Sequence, residues 1–294
     1  MTLGEALRQG TELLTAGKVP SARLNAEVLL MHAARCDRTH LFAHSERRLT
    51  DSEWVHYGRY LKERLEGKPS QYITGHQEFW GLEFLVNPSV LIPRPETELV
   101  VEVALEILQA RFPNGCGATI ADVGTGSGCI AIALATELPE ARLIALDQSR
   151  EALETAQTNA ERLSVASRIT FFQSDLLEVS SGDPLPECQM VVANPPYVST
   201  LDTSNVMPEV HRYEPPMAVF AGESGLEAYS RLIPLASGKL ATGGSLVLEL
   251  GYDVEEGVRK LLTGGKWDEL AWRKDLAGIT RVVSARRTGP AAGR

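Results

Sequence analysis

The sequence predicts an α/β protein: a mainly parallel, seven-stranded sheet covered by helices, preceded by a small helical bundle. Three observations predict it. From residue 118 onward, short apolar runs of strand length alternate with helix-length stretches. Residues 1–70 place apolar side chains at helical spacing, and nothing there alternates like a strand. The 294-residue length suits two domains at about 150 residues each.

The bundle comes first. Leu3, Ala6, Leu7, Leu13 and Leu14 recur at near-helical spacing, and Leu24, Val28, Leu29 and Leu30 mark a second helix over 22–34. Thr50-Asp51-Ser52-Glu53 offers a capping box for a third, carrying Trp54, Tyr57, Tyr60, Leu61 and Leu65. Residues 71–92 change character. They are rich in aromatic and β-branched side chains, and Gly81 can turn a short hairpin. Pro93 and Pro95 then hold the backbone extended, and Thr97 or Pro95, with Glu96 and Glu98, starts a helix.

Strands are predicted at 118–123, 142–147, 168–173, 189–194 and 245–250, with helices at 128–137, 149–163, 225–241 and 253–263. Such alternation makes a parallel sheet buried on both faces. A terminal antiparallel pair is expected around 269–273 and 279–285, followed by a loose polar tail.

Composition excludes several classes. Hydrophobic residues at 44% and charged residues at 23% rule out a disordered chain or a collagen-like fibre. Net charge −9 disfavours sequence-independent nucleic-acid binding, which needs phosphate neutralisation. The first 70 residues carry 11 basic and 9 acidic side chains, against 18 and 29 in the remainder. That mild asymmetry permits a recognition role for the bundle. Cys36, Cys116, Cys129 and Cys188 are scattered, with no metal or disulfide spacing, and read as free buried thiols. The histidines match no metal motif, so no metal is expected. The N-terminus shows no signal peptide, and no apolar run reaches membrane-span length. A cytoplasmic protein is expected.

The first parallel strand ends Asp122-Val123-Gly124-Thr125-Gly126-Ser127-Gly128, and a helix follows. Glycines at a strand tip let the backbone approach a ligand closely. The spacing is G-x-G-x-G, not the G-x-G-x-x-G of dinucleotide binders, and no Lys-Ser/Thr pair makes it a phosphate loop. It fits the loop of S-adenosylmethionine (SAM) methyltransferases. The second strand ends in Asp147, a carboxylate placed to accept hydrogen bonds from ribose hydroxyls.

The fourth strand runs into Asn194-Pro195-Pro196-Tyr197. It is expected beside the first, so the tetrapeptide faces the same crevice. Two prolines fix the bend and remove donors. The Asn194 side-chain carbonyl and the Pro195 backbone carbonyl then offer two acceptors, matching the two N–H groups of a planar –NH₂. Tyr197 can lie over a flat group or near a cation. An amide nitrogen is a weak nucleophile because its lone pair is delocalised. Acceptors on both hydrogens orient it, favour its pyramidalisation and stabilise charge developing on it.

The chain resembles the protein-(glutamine-N5) methyltransferases that modify peptide chain release factors, the PrmC/HemK family. The likeness is carried by residues 72–75, 79–81, 91–98, 122–128, 194–197, 213–215, 225–226, 249–252 and 275–278. It implies a SAM-dependent methyltransferase (Rossmann-like) domain over 93–294, a β-hairpin linker over 73–92 and a release-factor-recognition bundle over 1–72. It implies that Gly124, Thr125, Gly126, Ser127 and Gly128 bind SAM, yielding S-adenosylhomocysteine, with Asp147 on the ribose. The family often has an aromatic near the adenine after the third strand. Here Ser174-Asp175 is followed by Leu176, so an apolar contact replaces stacking. Asn194 would touch both cofactor and substrate. Asn194, Pro195, Pro196 and Tyr197 would hold the glutamine amide of the release factor's Gly-Gly-Gln loop.

Asn-Pro-Pro-Tyr is also shared with nucleic-acid amino-methyltransferases acting on DNA adenine N6 or rRNA guanine N2. The acidic catalytic half lacks the basic segment such a partner needs. A binding module that keeps only the cofactor pocket has no need for an amide clamp.

Overall fold

The computed structural model describes residues 1–182, 184–203 and 206–289. The chain divides into two compact units, Met1–His76 with Met207–Tyr213, and Gln77–Val206 with Glu214–Arg294.

The first unit is helical: α1 (Leu3–Ala16), α2 (Ala22–Ala34), α3 (Arg38–Ala43), α4 (Asp51–Leu65) and α5 (Ser70–Thr74). Thr2 with Glu5 and Thr50 with Glu53 form capping boxes that start α1 and α4. Leu3, Leu14, Leu29, Leu30, Leu41 and Tyr57 make the core. Gly10 lets α1 and α4 close: a Cβ there would lie 1.9 Å from the Tyr57 hydroxyl. Ile73 and Thr74, assigned to the linker by their β-branched side chains, close the one-turn helix α5 instead. The segment Met207–Tyr213 is held by Arg64, buried and paired with Glu209 at 2.6 Å.

The second unit opens with the hairpin β1 (His76–Phe79) and β2 (Leu82–Leu85), turning at Gly81 with φ +67°. A 3₁₀ turn, Pro95–Thr97, leads into α6 (Glu98–Arg111). Then follow β3 (Thr119–Val123), α7 (Cys129–Glu137), β4 (Arg142–Asp147), α8 (Arg150–Arg162), β5 (Ile169–Asp175), β6 (Glu178–Val179) and β7 (Cys188–Ala193). Two short strands, β8 (Val198–Ser199) and β9 (Phe220–Gly222), pair with each other; between them lie α9 (Pro208–Tyr213, part of the first unit) and α10 (Pro216–Val219). The chain closes with α11 (Glu227–Lys239), β10 (Leu240–Glu249), α12 (Glu255–Leu261), β11 (Trp267–Lys274) and β12 (Thr280–Arg287).

The sheet order is β11-β12-β10-β7-β3-β4-β5-β6. β3, β4, β5, β7 and β10 are parallel, and the terminal pair β11–β12 is antiparallel, as expected. The sheet has eight strands rather than seven. The addition, β6, is a two-residue antiparallel return from β5, too short to leave a periodic pattern. β12 runs to Arg287, past residue 285 where the loose tail was expected to start, and residues 290–294, on which the rest of that expectation falls, lie outside the described residues.

Alternate strand residues face opposite sides. Ile120, Leu143 and Val192 pack in one core with α6 and α7; Ala121, Ile144 and Val191 pack in the other with α11 and α12. Among the described residues no helix is long and apolar enough to cross a membrane. All four cysteines are free. Cys129 and Cys188 are buried as expected, Cys36 is half-buried, and Cys116 is exposed because it lies in the turn before β3.

Candidate active site

β7 lies beside β3, so their carboxyl ends meet where the connection order reverses, the usual place for a ligand crevice in an open α/β sheet. A cavity of about 290 Å³ opens there. Its lining includes Gly124, Thr125, Gly126, Ser127, Asp147, Asp175, Leu176, Asn194 and Pro196.

The glycine loop is pinned from beneath. Gly124 and Thr125 donate their backbone N–H groups to Leu146 O at 2.8 and 2.9 Å. Gly124 and Gly126 have positive φ, 72° and 55°, which only glycine adopts readily. A Cβ on Gly124 would meet no heavy atom within 4 Å, so this backbone faces open space. Gly128 differs: a Cβ there would sit 2.9 Å from Ile132 Cδ1 and 3.1 Å from Ala156 Cβ. It does not line the cavity. Its part is the close approach of α7 to α8.

Two acidic groups support the loop. Asp122 is fully buried. Its Oδ2 accepts from the Thr125 hydroxyl at 2.7 Å and from Ala131 N at 3.1 Å, while Oδ1 is buried and unpartnered among the described residues. Burial pushes its carboxyl up to about 7. Asp147 accepts from Gly126 N through Oδ2 and from Ser149 N through Oδ1, each at 2.9 Å. Burial raises it, and these backbone bonds oppose the rise. Each carboxylate oxygen keeps a second lone pair for a ligand. Further along, Asp175 is tied to Arg231 at 2.7 Å, and Leu176 takes φ +55° at the end of β5.

Asn194 follows β7 directly. Its Nδ2 donates to Thr97 Oγ1 at 3.2 Å. Its Oδ1 takes no hydrogen bond among the described residues, so the acceptor end of the carboxamide remains available. Pro195 is buried and does not line the cavity; its carbonyl accepts nothing among the described residues. Tyr197 does not line the cavity. A Cβ on Gly251 would lie 2.5 Å from Tyr197 Cδ2, and one on Gly225 would lie 2.6 Å from Tyr197 O. The tyrosine is wedged between these two glycines, and burial pushes its hydroxyl up to about 12.

The opposite wall is clamped. Glu214, whose side chain is 1% exposed, accepts from Arg94 Nη2 at 2.5 Å and from Ile92 N at 3.3 Å. This joins the segment carrying Pro93 and Thr97 to the segment carrying Pro215 and Met217, all lining residues. Asn159, fully buried in α8, bonds both Leu85 and the Ser127 carbonyl, tying the hairpin to the loop.

Sequence reasoning missed Asp122, Thr97, Asn159 and Glu214 as site residues. Asp122 sits inside an apolar strand, where an isolated carboxylate beside a glycine loop was the available signal. Asn159 carried none, being one polar residue on an amphipathic helix.

Comparison with known proteins fits this arrangement. A family model of the PrmC N-terminal domain matches residues 5–75, and one of the methyltransferase small domain matches residues 98–211. The fold and site thus define a methyltransferase enzyme. The release factor glutamine methyltransferase of Koribacter versatilis is 44% identical over 287 residues, covering 98% of this chain and 99% of its own. That of Moorella thermoacetica is 45% identical over 289 residues, with the same coverages. The chain belongs to the release factor glutamine methyltransferase family. Among solved structures, the ribosomal protein L11 methylase of Lactobacillus delbrueckii subsp. bulgaricus is a distant likeness. Its identity is 21% and its TM-score 0.48, over 67% of this chain and 81% of that one.

Proposed function

We propose that the chain transfers a methyl group from SAM to the side-chain amide nitrogen, N5, of the glutamine in a release factor's Gly-Gly-Gln loop. The observation that carries this reading is the Asn194–Thr97 hydrogen bond. It engages the donor end of the Asn194 carboxamide and leaves Oδ1 as an acceptor at the cavity. With the Pro195 carbonyl, this makes a donor-free bend suited to a primary amide.

The residues present fit SAM. Gly124 and Gly126 leave backbone space that a side chain would fill. The Asp147 carboxylate suits a ribose diol, and Leu176 beside Asp175 offers an apolar surface to adenine. The orphaned Asp122 Oδ1 is an acceptor below the loop. When bound, SAM supplies an electrophilic methyl on a sulfonium. The protein's part is to hold the target nitrogen in line. Asn194 and Pro195 orient the amide, draw on its N–H bonds and stabilise positive charge as it develops. A methylated, protonated amide loses its proton readily, so no strong base is needed. In this reading Tyr197, held between Gly225 and Gly251, fixes the bend.

The helical unit is the proposed recognition element for the release factor, supported by the PrmC N-terminal match and by its mildly basic balance. With such a substrate the enzyme works in the cytoplasm. Asn194→Ala tests the clamp: transfer to intact release factor should fall by roughly a hundredfold or more while SAM still binds. Wild-type turnover by that variant would refute it.

A further inference from the structure

Neighbouring strands in the sheet run in the order β7, β3, β4 and β5. Their carboxyl ends present to the cavity, in that order, Asn194, the glycine loop, Asp147, and Asp175 with Leu176. A ligand whose ribose sits on Asp147 and whose sulfonium points toward Asn194 therefore carries its base to the tip of β5. That tip is firm. The Ser174 hydroxyl donates to Leu176 O at 2.9 Å, and Leu176 packs against the core that includes α11. Its apolar side chain can cover one face of a flat base.

A purine has a second face. Among the described lining residues Phe220 is the one aromatic. It stands on β9, paired with Val198 just after the Asn194–Tyr197 bend, so its ring belongs to the methyl-transfer end. The lining holds two cations, Arg94 and Arg231. Arg94 is tied to Glu214 and shares a segment with Thr97, which reaches Asn194. Arg231, in α11, is the cation at the base end, where its Nη2 donates to Asp175 Oδ2 at 2.7 Å. Its remaining N–H groups have no partner among the described residues.

The Arg231 and Asp175 side chains are 52% and 47% exposed, and an ion pair so open to water contributes little to folding. Its consequence is local: it holds a guanidinium next to Leu176, on the cavity wall. A guanidinium is planar, delocalised and less strongly hydrated than an ammonium, and it stacks on aromatic faces. Tethering it before the ligand arrives reduces the side-chain entropy lost on binding.

We propose that Arg231 is a binding residue for the cofactor's base: its guanidinium, tethered by Asp175, lies against the adenine face that Leu176 leaves open and supplies the planar contact that no ring provides there. This rests on the reading of the cavity as a SAM site with adenine at Leu176.

The test is calorimetry of the full chain with S-adenosylhomocysteine, which carries the same adenosine and has no methyl to transfer. Arg231→Ala should weaken binding by roughly three- to thirtyfold and leave the urea unfolding curve unchanged. Arg231→Lys keeps the charge and can still pair with Asp175 but has no plane, so most of the loss should remain. Leu176→Phe in the Arg231→Ala background places a ring at the same end of the cavity and should recover most of the lost affinity. Wild-type affinity in Arg231→Ala, full affinity in Arg231→Lys, or no recovery with Leu176→Phe each overturns the proposal.

The proposal and the readings beneath it fail separately. A wild type that binds no S-adenosylhomocysteine overturns the cofactor reading and the proposal with it. A wild type that binds it but methylates no release factor overturns the functional reading, and the Arg231 affinities still decide the proposal.

Discussion

Gly126 donates its backbone N–H to Asp147 Oδ2 at 2.9 Å, so the carboxylate proposed to hold the ribose also holds the loop that cradles the cofactor. The second oxygen is fixed by Ser149 N at the start of α8. Asp147→Ala should therefore weaken SAM binding twice over, through a lost diol acceptor and a loosened loop. The expected loss is about 1.5–3 kcal/mol, the range for hydrogen bonds to charged groups. Unchanged affinity in calorimetry would contradict the assignment.

Two loop glycines should respond differently to alanine. At Gly128 the new methyl meets Ile132 and Ala156, and φ is +83°. Gly128→Ala should cost about 1–3 kcal/mol of stability in urea unfolding. Gly124→Ala meets nothing in the protein, so its methyl projects into open space at the cavity. Its φ of +72° strains an alanine as well, so it should lose SAM affinity and some stability, but less stability than Gly128→Ala, where the clash adds to the strain. Equal stability losses in the two variants would show that the loop's open side has been misplaced.

Glu214 closes one wall of the cavity through Arg94 and Ile92 N. Glu214→Ala leaves Arg94, 29% exposed at its side chain, without this partner. About 1.5–3 kcal/mol of stability should be lost, along with SAM affinity. Arg94→Ala should then add little to Glu214→Ala in a double-mutant cycle. Additive losses would mean that the two residues act separately.

Asp122 sets a pH dependence of stability. Burial raises its folded-state value from 3.8 to about 7. Between those values the folded protein holds a proton that the unfolded chain has released. Its contribution therefore falls as pH rises through that window and is level above it. Asp122→Asn removes this slope. Relative to wild type, the variant should gain stability from about pH 4 to about pH 7 and gain nothing more above, in urea unfolding at a series of pH values. A difference that does not change with pH would show that Asp122 ionises normally.

Much of the site was legible because its chemistry is written in contiguous residues. The glycine loop and the Asn194–Tyr197 bend each follow a strand whose apolar run is plain, and the alternation of strands and helices brings them together. The supports were hidden because they are made by the fold. Thr97 and Asn194 lie nearly a hundred positions apart on separate elements, and only the fold brings the start of α6 to the end of β7. The roles of Gly225 and Gly251 were likewise invisible until Tyr197 was seen wedged between them. The segment 275–278 resolves into a turn: Asp275 accepts from Ala277 N and Ile279 N and pairs with Arg281, holding β11 to β12.

Mass spectrometry of a release factor incubated with this enzyme and methyl-labelled SAM tests the central claim most directly. The account predicts one added methyl on the side-chain amide of the Gly-Gly-Gln glutamine, and almost none with Asn194→Ala. Label on another side chain, or in DNA or ribosomal RNA offered alongside with the release factor unmodified, would contradict it.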